Sequence, residues 1–288
     1  DVAVVMELLQ SFLLFHDDIM DNDDTRRGER SVHAQYREEA ATWGVAHGAS
    51  FGYSMGICAG DITMLLAQRI LSALPLADER YRRLHRLVSQ EIAFVGVAQM
   101  DDLYFGYLTG TVPEDEVYRL YRYKTGRYTF SLPLAMGAIF AGLPESGVER
   151  LMRYGEELGV LFQVVDDDIG LFGETEVTGK PVGSDIGSDK KTLHRRFFME
   201  AARETPNGPA AATAGYFGKS GLQPRHVEEV RRAMYESGVH ARIGELLSRH
   251  AERARALARE IAATDIAADA AEEARSFLDQ LVDYNLDR

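Results

Sequence analysis

The first 24 residues, DVAVVMELLQSFLLFHDDIMDNDD (Asp1–Asp24), pass from an almost unbroken apolar stretch into a dense run of acids. Through residues 2–20 the apolar side chains recur at three- and four-residue spacing, the period of a helix. Five aspartates then occupy the eight positions from Asp17 to Asp24. Aspartate is a mediocre helix former because its side chain competes for backbone hydrogen bonds. Acids that end an apolar helix are therefore not an ordinary solvated face. Asp17 and Asp21 are four apart, so their carboxylates share one face, about 6 Å apart along the axis. Gln10 and Leu13 continue that stripe backwards into apolar wall. Two carboxylates at this separation suit Mg²⁺, which takes hard oxygen ligands and leaves positions for water and substrate phosphate.

Working outward, the same helical period returns in 62–76, 88–108, 132–141, 148–165, 227–247 and 270–286. Turn signals such as Gly142-Leu143-Pro144 and Pro206-Asn207-Gly208-Pro209 separate these stretches. Long alternating β-branched runs, repeats of solenoid period and Gly-rich phosphate loops are all missing, so the chain reads as all-α. Residues 170–192 are rich in Gly, Thr, Asp and Lys and predict a long polar loop, of the kind that is usually functional. The Ala-rich stretch 249–274 predicts a solvated helix face with i,i+4 ion pairs.

A second acidic cluster, Asp166-Asp167-Asp168, ends another apolar helix about 150 residues after the first. Two such helix ends suggest opposed walls of one cavity. Opposed acids repel unless cations lie between them, which implies metal. Arg26 and Arg27 follow the first cluster as either salt-bridge partners or phosphate ligands, and spacing leaves both open. Lys124, Lys180, Lys190 and Lys191 sit in polar contexts suited to a diphosphate.

Composition bounds the rest. The chain has 288 residues, one cysteine and a formal net charge of −13. One thiol excludes an internal disulfide, and Cys58, in a small-residue run, is expected to be a buried small hydrophobe. The negative balance speaks against nucleic acid. No apolar run reaches the roughly 20 residues of a membrane span and no leader is evident, so a cytoplasmic protein is expected. Histidines such as His33, His47, His85 and His194 lack metal-ligand spacing and are expected to be satisfied or at the surface. Asp1–Phe15 reads as a helix interior, so N-terminal helices are expected to be missing from this chain.

These residues together resemble the trans-isoprenyl diphosphate synthases, the farnesyl and geranylgeranyl type, over nearly the whole chain. Asp17-Asp18-Ile19-Met20-Asp21 with Arg26-Arg27-Gly28 resembles the family's first aspartate-rich motif, and Phe162-Gln163-Val164-Val165-Asp166-Asp167 its second. Gly60-Asp61, Gln99-Met100-Asp101-Asp102-Leu103, Lys124-Thr125-Gly126, and Gly179-Lys180-Pro181 through Lys190-Lys191-Thr192 resemble the signatures between and after them. The resemblance implies a single domain over 1–288, a bundle of roughly ten or more helices around a central cavity, the isoprenoid synthase fold. It implies that Asp17, Asp21 and Asp166, with Asp18 beside them, ligate about three Mg²⁺ ions. Arg26, Lys124, Lys180 and Lys190 would hold an allylic diphosphate, Thr125 and Gln163 would line the reacting carbons, and Arg27 would bind isopentenyl diphosphate. A homodimer is implied as well.

Three departures stand out. Gly170 replaces an aspartate common in the second motif, which predicts weaker support around the metal. Gln10 stands where a histidine is frequent near isopentenyl diphosphate. The Gly-Lys-x-x-Arg-Pro segment of relatives is absent. Phe12 and Leu13, five and four positions before Asp17, with no insertion in the motif, resemble synthases of geranylgeranyl (C20) product, with farnesyl (C15) as the alternative. A class I terpene cyclase and a non-catalytic synthase subunit are rival readings, opposed by the acidic second wall and by the intact first motif.

Overall fold

The computed structural model describes residues 1–173 and 183–288, apart from the side chain of Ser184. Lys180 and the Gly179-Lys180-Pro181 signature lie outside the described residues. Helices form nearly all the regular structure that is described, as the apolar periodicity predicts. The chain divides into two compact units, Asp1–His85 and Arg86–Arg288.

The first unit contains α1 (Val2–Met20), a short hairpin of β1 (Thr25–Arg26) and β2 (Glu29–Arg30), α2 (Val32–Thr42) and α3 (Gly48–Ser72). The strands pair Thr25 with Arg30 and Arg26 with Glu29. Arg27 (φ 53°) and Gly28 (φ 81°) form the two-residue link between them. Positive φ at both positions gives the turn whose twist matches the flanking strands. Helix α3 presents glycines on one face to its neighbours. A Cβ on Gly52 would fall 2.4 Å from the His33 carbonyl oxygen, one on Gly56 2.8 Å from Ile19, and one on Gly60 2.4 Å from His16 Nε2. These positions let α1 and α2 approach the α3 backbone, and they seat the acidic end of α1 where His16 donates to the Ile57 carbonyl at 3.2 Å.

Helix α4 (Asp78–Tyr107) starts in the first unit and runs into the second. There follow α5 (Glu114–Leu120), a π-helix (Tyr121–Ser131), α6 (Leu132–Ala141), α7 (Glu145–Phe172), a single turn α8 (Ser184–Gly187), α9 (Leu193–Glu204), α10 (Pro209–Thr213), α11 (Pro224–Glu236), α12 (Val239–Thr264) and α13 (Ala271–Leu286). Helix α7 is the axis of this unit and packs against the π-helix and α12. Its buried residues Leu151, Leu158, Leu161, Val164 and Val165 follow helical spacing.

Three expectations need correction. Residues 170–192 are not one loop: α7 continues to Phe172 and α8 adds a turn, because Leu171 and Ile186 are buried in the core. The Ala-rich stretch is not solvated throughout. Ala251, Ala254, Ala258 and Ile261 are buried on α12, and its charges pair at long range, Arg255 with Asp283 and Arg150 with Asp265. Small alanines allow the close helix packing that bulkier residues would prevent. Cys58 is exposed, on the side of α3 that also exposes Ile57, Ile62 and Leu65.

Candidate active site

At the end of α1 the acids are sorted by burial. Asp18 is 2% exposed, whereas Asp17 is partly exposed and Asp21 exposed. Asp18 takes the Arg26 guanidinium through Nε at 2.6 Å, and Arg26 Nη2 reaches Asp17 at 3.4 Å. Burial pushes the Asp18 carboxyl above the usual range, against the opposing pull of Arg26. The hairpin exists in the right place to supply that cation, and Arg27, at its tip, is exposed. Asp24 is held apart from the helix acids by a bidentate pair with Arg37, at 2.8 and 2.7 Å. Tyr53 donates to Asn22 at 2.9 Å and fixes the intervening turn. On the same helix Gln10, Phe12 and Leu13 are half-buried, and Phe12 stacks edge-on to His16 at 5.0 Å.

In the second unit, contact between glycines sets the geometry. A Cβ on Gly159 of α7 would lie 2.0 Å from the Gly126 Cα of the π-helix, so only glycine fits there. That contact brings Thr125 one turn from Gly159, where its hydroxyl donates to Gln163 Oε1 at 2.8 Å. Gln163 in turn donates from Nε2 to Asp167 at 3.1 Å. Lys124 donates to Asp102 of α4. Arg127, three residues on, grips the buried Glu91 with two bonds of 2.6 and 2.7 Å and Glu156 with one of 2.6 Å. The π-helix is thereby tied to both α4 and α7 around Lys124 and Thr125. π-Helical turns are rare and frequent at functional sites.

Asp167 is fully buried and accepts from Tyr121, Gln163 and Lys190. The Tyr121 oxygen also accepts from the Leu193 backbone at 3.0 Å. Desolvation opposes the charge of Lys190, but Asp167, Asp185 and Asp166 outweigh it and raise its pKa. Asp168 accepts from buried His194 at 3.0 Å. Asp166, by contrast, has a side chain 49% exposed, with Arg288 at 3.7 Å and the Arg288 guanidinium 3.9 Å above the Phe162 ring. Burial pushes the Asp166 carboxyl up, against the nearby Lys190. A cavity of about 60 Å³ is lined by Asp102, Lys124, Thr125, Gln163, Lys190 and Lys191, among others.

The structure thus brings Lys124, Thr125, Gln163 and Lys190 together. Lys191 lines the same cavity but spends its ammonium on Asp189. Asp102, Tyr121, Asp185, His194 and Arg288 were not singled out by sequence as site residues. Tyr121 lies three residues before Lys124, a helical spacing that places both on one side. Gly170 has a local reason: a Cβ there would meet Asp185 Oδ2 at 2.9 Å, so the carboxylate of Asp185 fills that space.

Among the described residues, no group of three or more His, Cys, Asp or Glu side chains converges as a ready-made metal cage. The donors are one or two partly exposed carboxylates at each helix end. That suits Mg²⁺, which keeps several waters and shares substrate phosphate oxygens, and does not suit zinc. No described helix is long and apolar enough to cross a membrane.

An all-α chain with acid-tipped helices and a Thr-Gln-Asp relay beside a lysine-lined cavity defines the isoprenoid-synthase class. Its fold overlays the geranylgeranyl pyrophosphate synthase of Corynebacterium glutamicum, solved with isoprenyl diphosphate and magnesium, with a TM-score of 0.88 at 28% identity, covering 100% of this chain and 78% of that one. The pattern of the polyprenyl synthetase family matches residues 1–212. The chain belongs to that family. It is 36% identical over 193 residues to a Mycobacterium tuberculosis geranylgeranyl diphosphate synthase, over 67% of this chain and 50% of that protein. It is also 36% identical over 191 residues to a Mycobacterium bovis (2E,6E)-farnesyl diphosphate synthase, over 66% and 48%. The chain therefore spans about half the length of the curated relatives it matches.

Proposed function

We propose that this protein is a Mg²⁺-dependent prenyltransferase that condenses isopentenyl diphosphate with an allylic diphosphate, with geranylgeranyl diphosphate as product. The observation that carries this is the relay from Thr125 through Gln163 to Asp167, with Lys124 and Lys190 lining the same cavity and the exposed carboxylate of Asp166 next to Asp167. Asp17, Asp21 and Asp166 are the carboxylates that would hold the metal, with Asp18 anchoring Arg26 beside Asp17. Mg²⁺, when bound, neutralises the allylic diphosphate and makes it a leaving group. Lys124, Lys180 and Lys190 bind its phosphate oxygens, and Arg27 holds isopentenyl diphosphate. Arg26 is committed to Asp18, so its part in phosphate binding is shared with that ion pair. Thr125 and Gln163 present oxygen atoms, partly negative, towards the positive charge that develops on the allylic carbon. The C4–C1 bond forms as the isopentenyl double bond attacks, and a proton leaves to the released diphosphate. Apolar residues upstream of Asp17, including Phe12 and Leu13, bound the growing chain.

A farnesyl product is the second reading, favoured by the equal identity to the Mycobacterium bovis enzyme. A homodimer and a cytoplasmic setting remain part of the proposal. The test is incubation of the protein with Mg²⁺, isopentenyl diphosphate and dimethylallyl, geranyl or farnesyl diphosphate, followed by chain-length analysis. The expected result is consumption of isopentenyl diphosphate with C20 as the longest product. Hydrocarbon formed without isopentenyl diphosphate consumption would instead establish a cyclase, and activity only after mixing with a partner synthase would establish a modifying subunit.

A further inference from the structure

One cavity in the second unit has none of the site residues above in its lining. It measures about 340 Å³ and is lined by Asp115, Tyr118, Arg122, Arg249, His250 and Arg253. Arg122 comes from the π-helix, two residues before Lys124, while Arg249 and Arg253 are one turn apart on α12. All three arginines are exposed, and none has a carboxylate partner among the described residues. Most other arginines of the unit do: Arg119, Arg127, Arg150, Arg195, Arg242 and Arg255 each hold an acid. In a chain with a net charge of −13, three unmatched guanidinium groups around one hollow are an anomaly.

The floor of the hollow is built rather than incidental. His250 is buried and donates from Nδ1 to Glu157 at 2.5 Å, which fixes its ring. The Tyr118 ring lies 5.9 Å from it. The Tyr118 hydroxyl feels burial first, then Glu114, and the field of Arg249, Arg253 and Arg122 in the opposite sense, so the three cations share one locality. Asp115 is the single acid in the lining.

We propose that Arg122, Arg249 and Arg253 form a second anion site, separate from the Lys124–Asp167 centre, that takes a diphosphate group. Planar guanidinium forks match phosphoryl oxygens. Three of them, set on two helices around a hollow of this volume, suit two linked phosphoryl groups better than one. The occupant is either free diphosphate or the headgroup of a prenyl diphosphate. The binding claim is independent of the proposed condensation and is tested without it.

Isothermal titration of the whole protein with inorganic diphosphate, in excess EDTA, removes any metal-dependent contribution. The expected result is saturable binding of one diphosphate that weakens about tenfold or more in Arg249→Gln/Arg253→Gln and in Arg122→Gln. Thermal melting without ligand should be unchanged in these variants, since all three side chains are exposed. Lys124→Gln should bind like the wild type. A parallel titration with geranyl diphosphate separates the sources. Equal affinity assigns the site to the free ion, and tighter binding that is still lost in the arginine variants assigns it to the prenylated one. Absence of saturation up to about 10 mM overturns the proposal. So does binding that is lost in Lys124→Gln and kept in the arginine variants.

Discussion

The two acid-tipped helices, α1 and α7, solve one problem in different ways. Each buries one aspartate, Asp18 or Asp167, next to an acid left accessible, Asp17 or Asp166. A buried carboxylate without partners costs several kcal/mol, so each needs donors. Helix α1 finds its donor eight residues away, in Arg26 of the hairpin that follows. Helix α7 collects donors from three places: Gln163 on its own preceding turn, Tyr121 of the π-helix 46 residues earlier, and Lys190 23 residues later. The first end is a local device and the second is a tertiary one. The same residue pattern can therefore depend on very different parts of the chain.

Substitutions separate the two designs. The largest effect is expected for Asp17→Ala, an accessible acid: kcat for isopentenyl diphosphate incorporation should fall about 10³-fold, with little change in melting temperature. An unchanged rate would remove α1 from the chemistry. Gly159→Ala strikes the tertiary design, since its methyl group would meet the Gly126 backbone. A loss of about 3 kcal/mol in denaturant unfolding is expected, with reduced activity through displacement of Thr125. Arg26→Gln strikes the local design. Because Arg26 is about one-third exposed, the cost is expected to be about 2 kcal/mol rather than the larger value of a fully buried pair. Tyr121→Phe removes one of three donors to Asp167 and an acceptor for the Leu193 amide. It should cost about 1–2 kcal/mol, read by urea unfolding, and should leave Lys190 and Gln163 to hold the carboxylate.

This contrast also explains what could be read from the residues alone. The all-α class followed from periodicity, and the presented acids from i,i+4 spacing, because both are local properties. Arg26 was seen in sequence, but whether it serves a carboxylate or a phosphate was not; the short hairpin decides that it reaches Asp18. Tyr121, Asp185 and His194 were missed because their partners are 46, 15 and 26 residues distant, and nothing in their own neighbourhoods marks them. Gly170 looked like a deficiency and turns out to leave room for Asp185. The Ala-rich helix looked solvated because alternating charge hides a small-residue face, and that face is buried on α12.

The central claim is a division of labour at each helix end, with the accessible acid serving chemistry and the buried acid serving architecture. Asp166→Asn and Asp167→Asn, nearly isosteric and adjacent, test it most directly when melting temperature and Mg²⁺-dependent incorporation of isopentenyl diphosphate are measured on both. The account predicts that Asp166→Asn melts like the wild type and loses about 10²-fold or more in kcat. It predicts that Asp167→Asn loses about 1–2 kcal/mol of stability, because Tyr121, Gln163 and Lys190 lose their charged acceptor while Asp185 still faces the partly exposed Lys190. A destabilised Asp166→Asn beside a fully stable Asp167→Asn would contradict it.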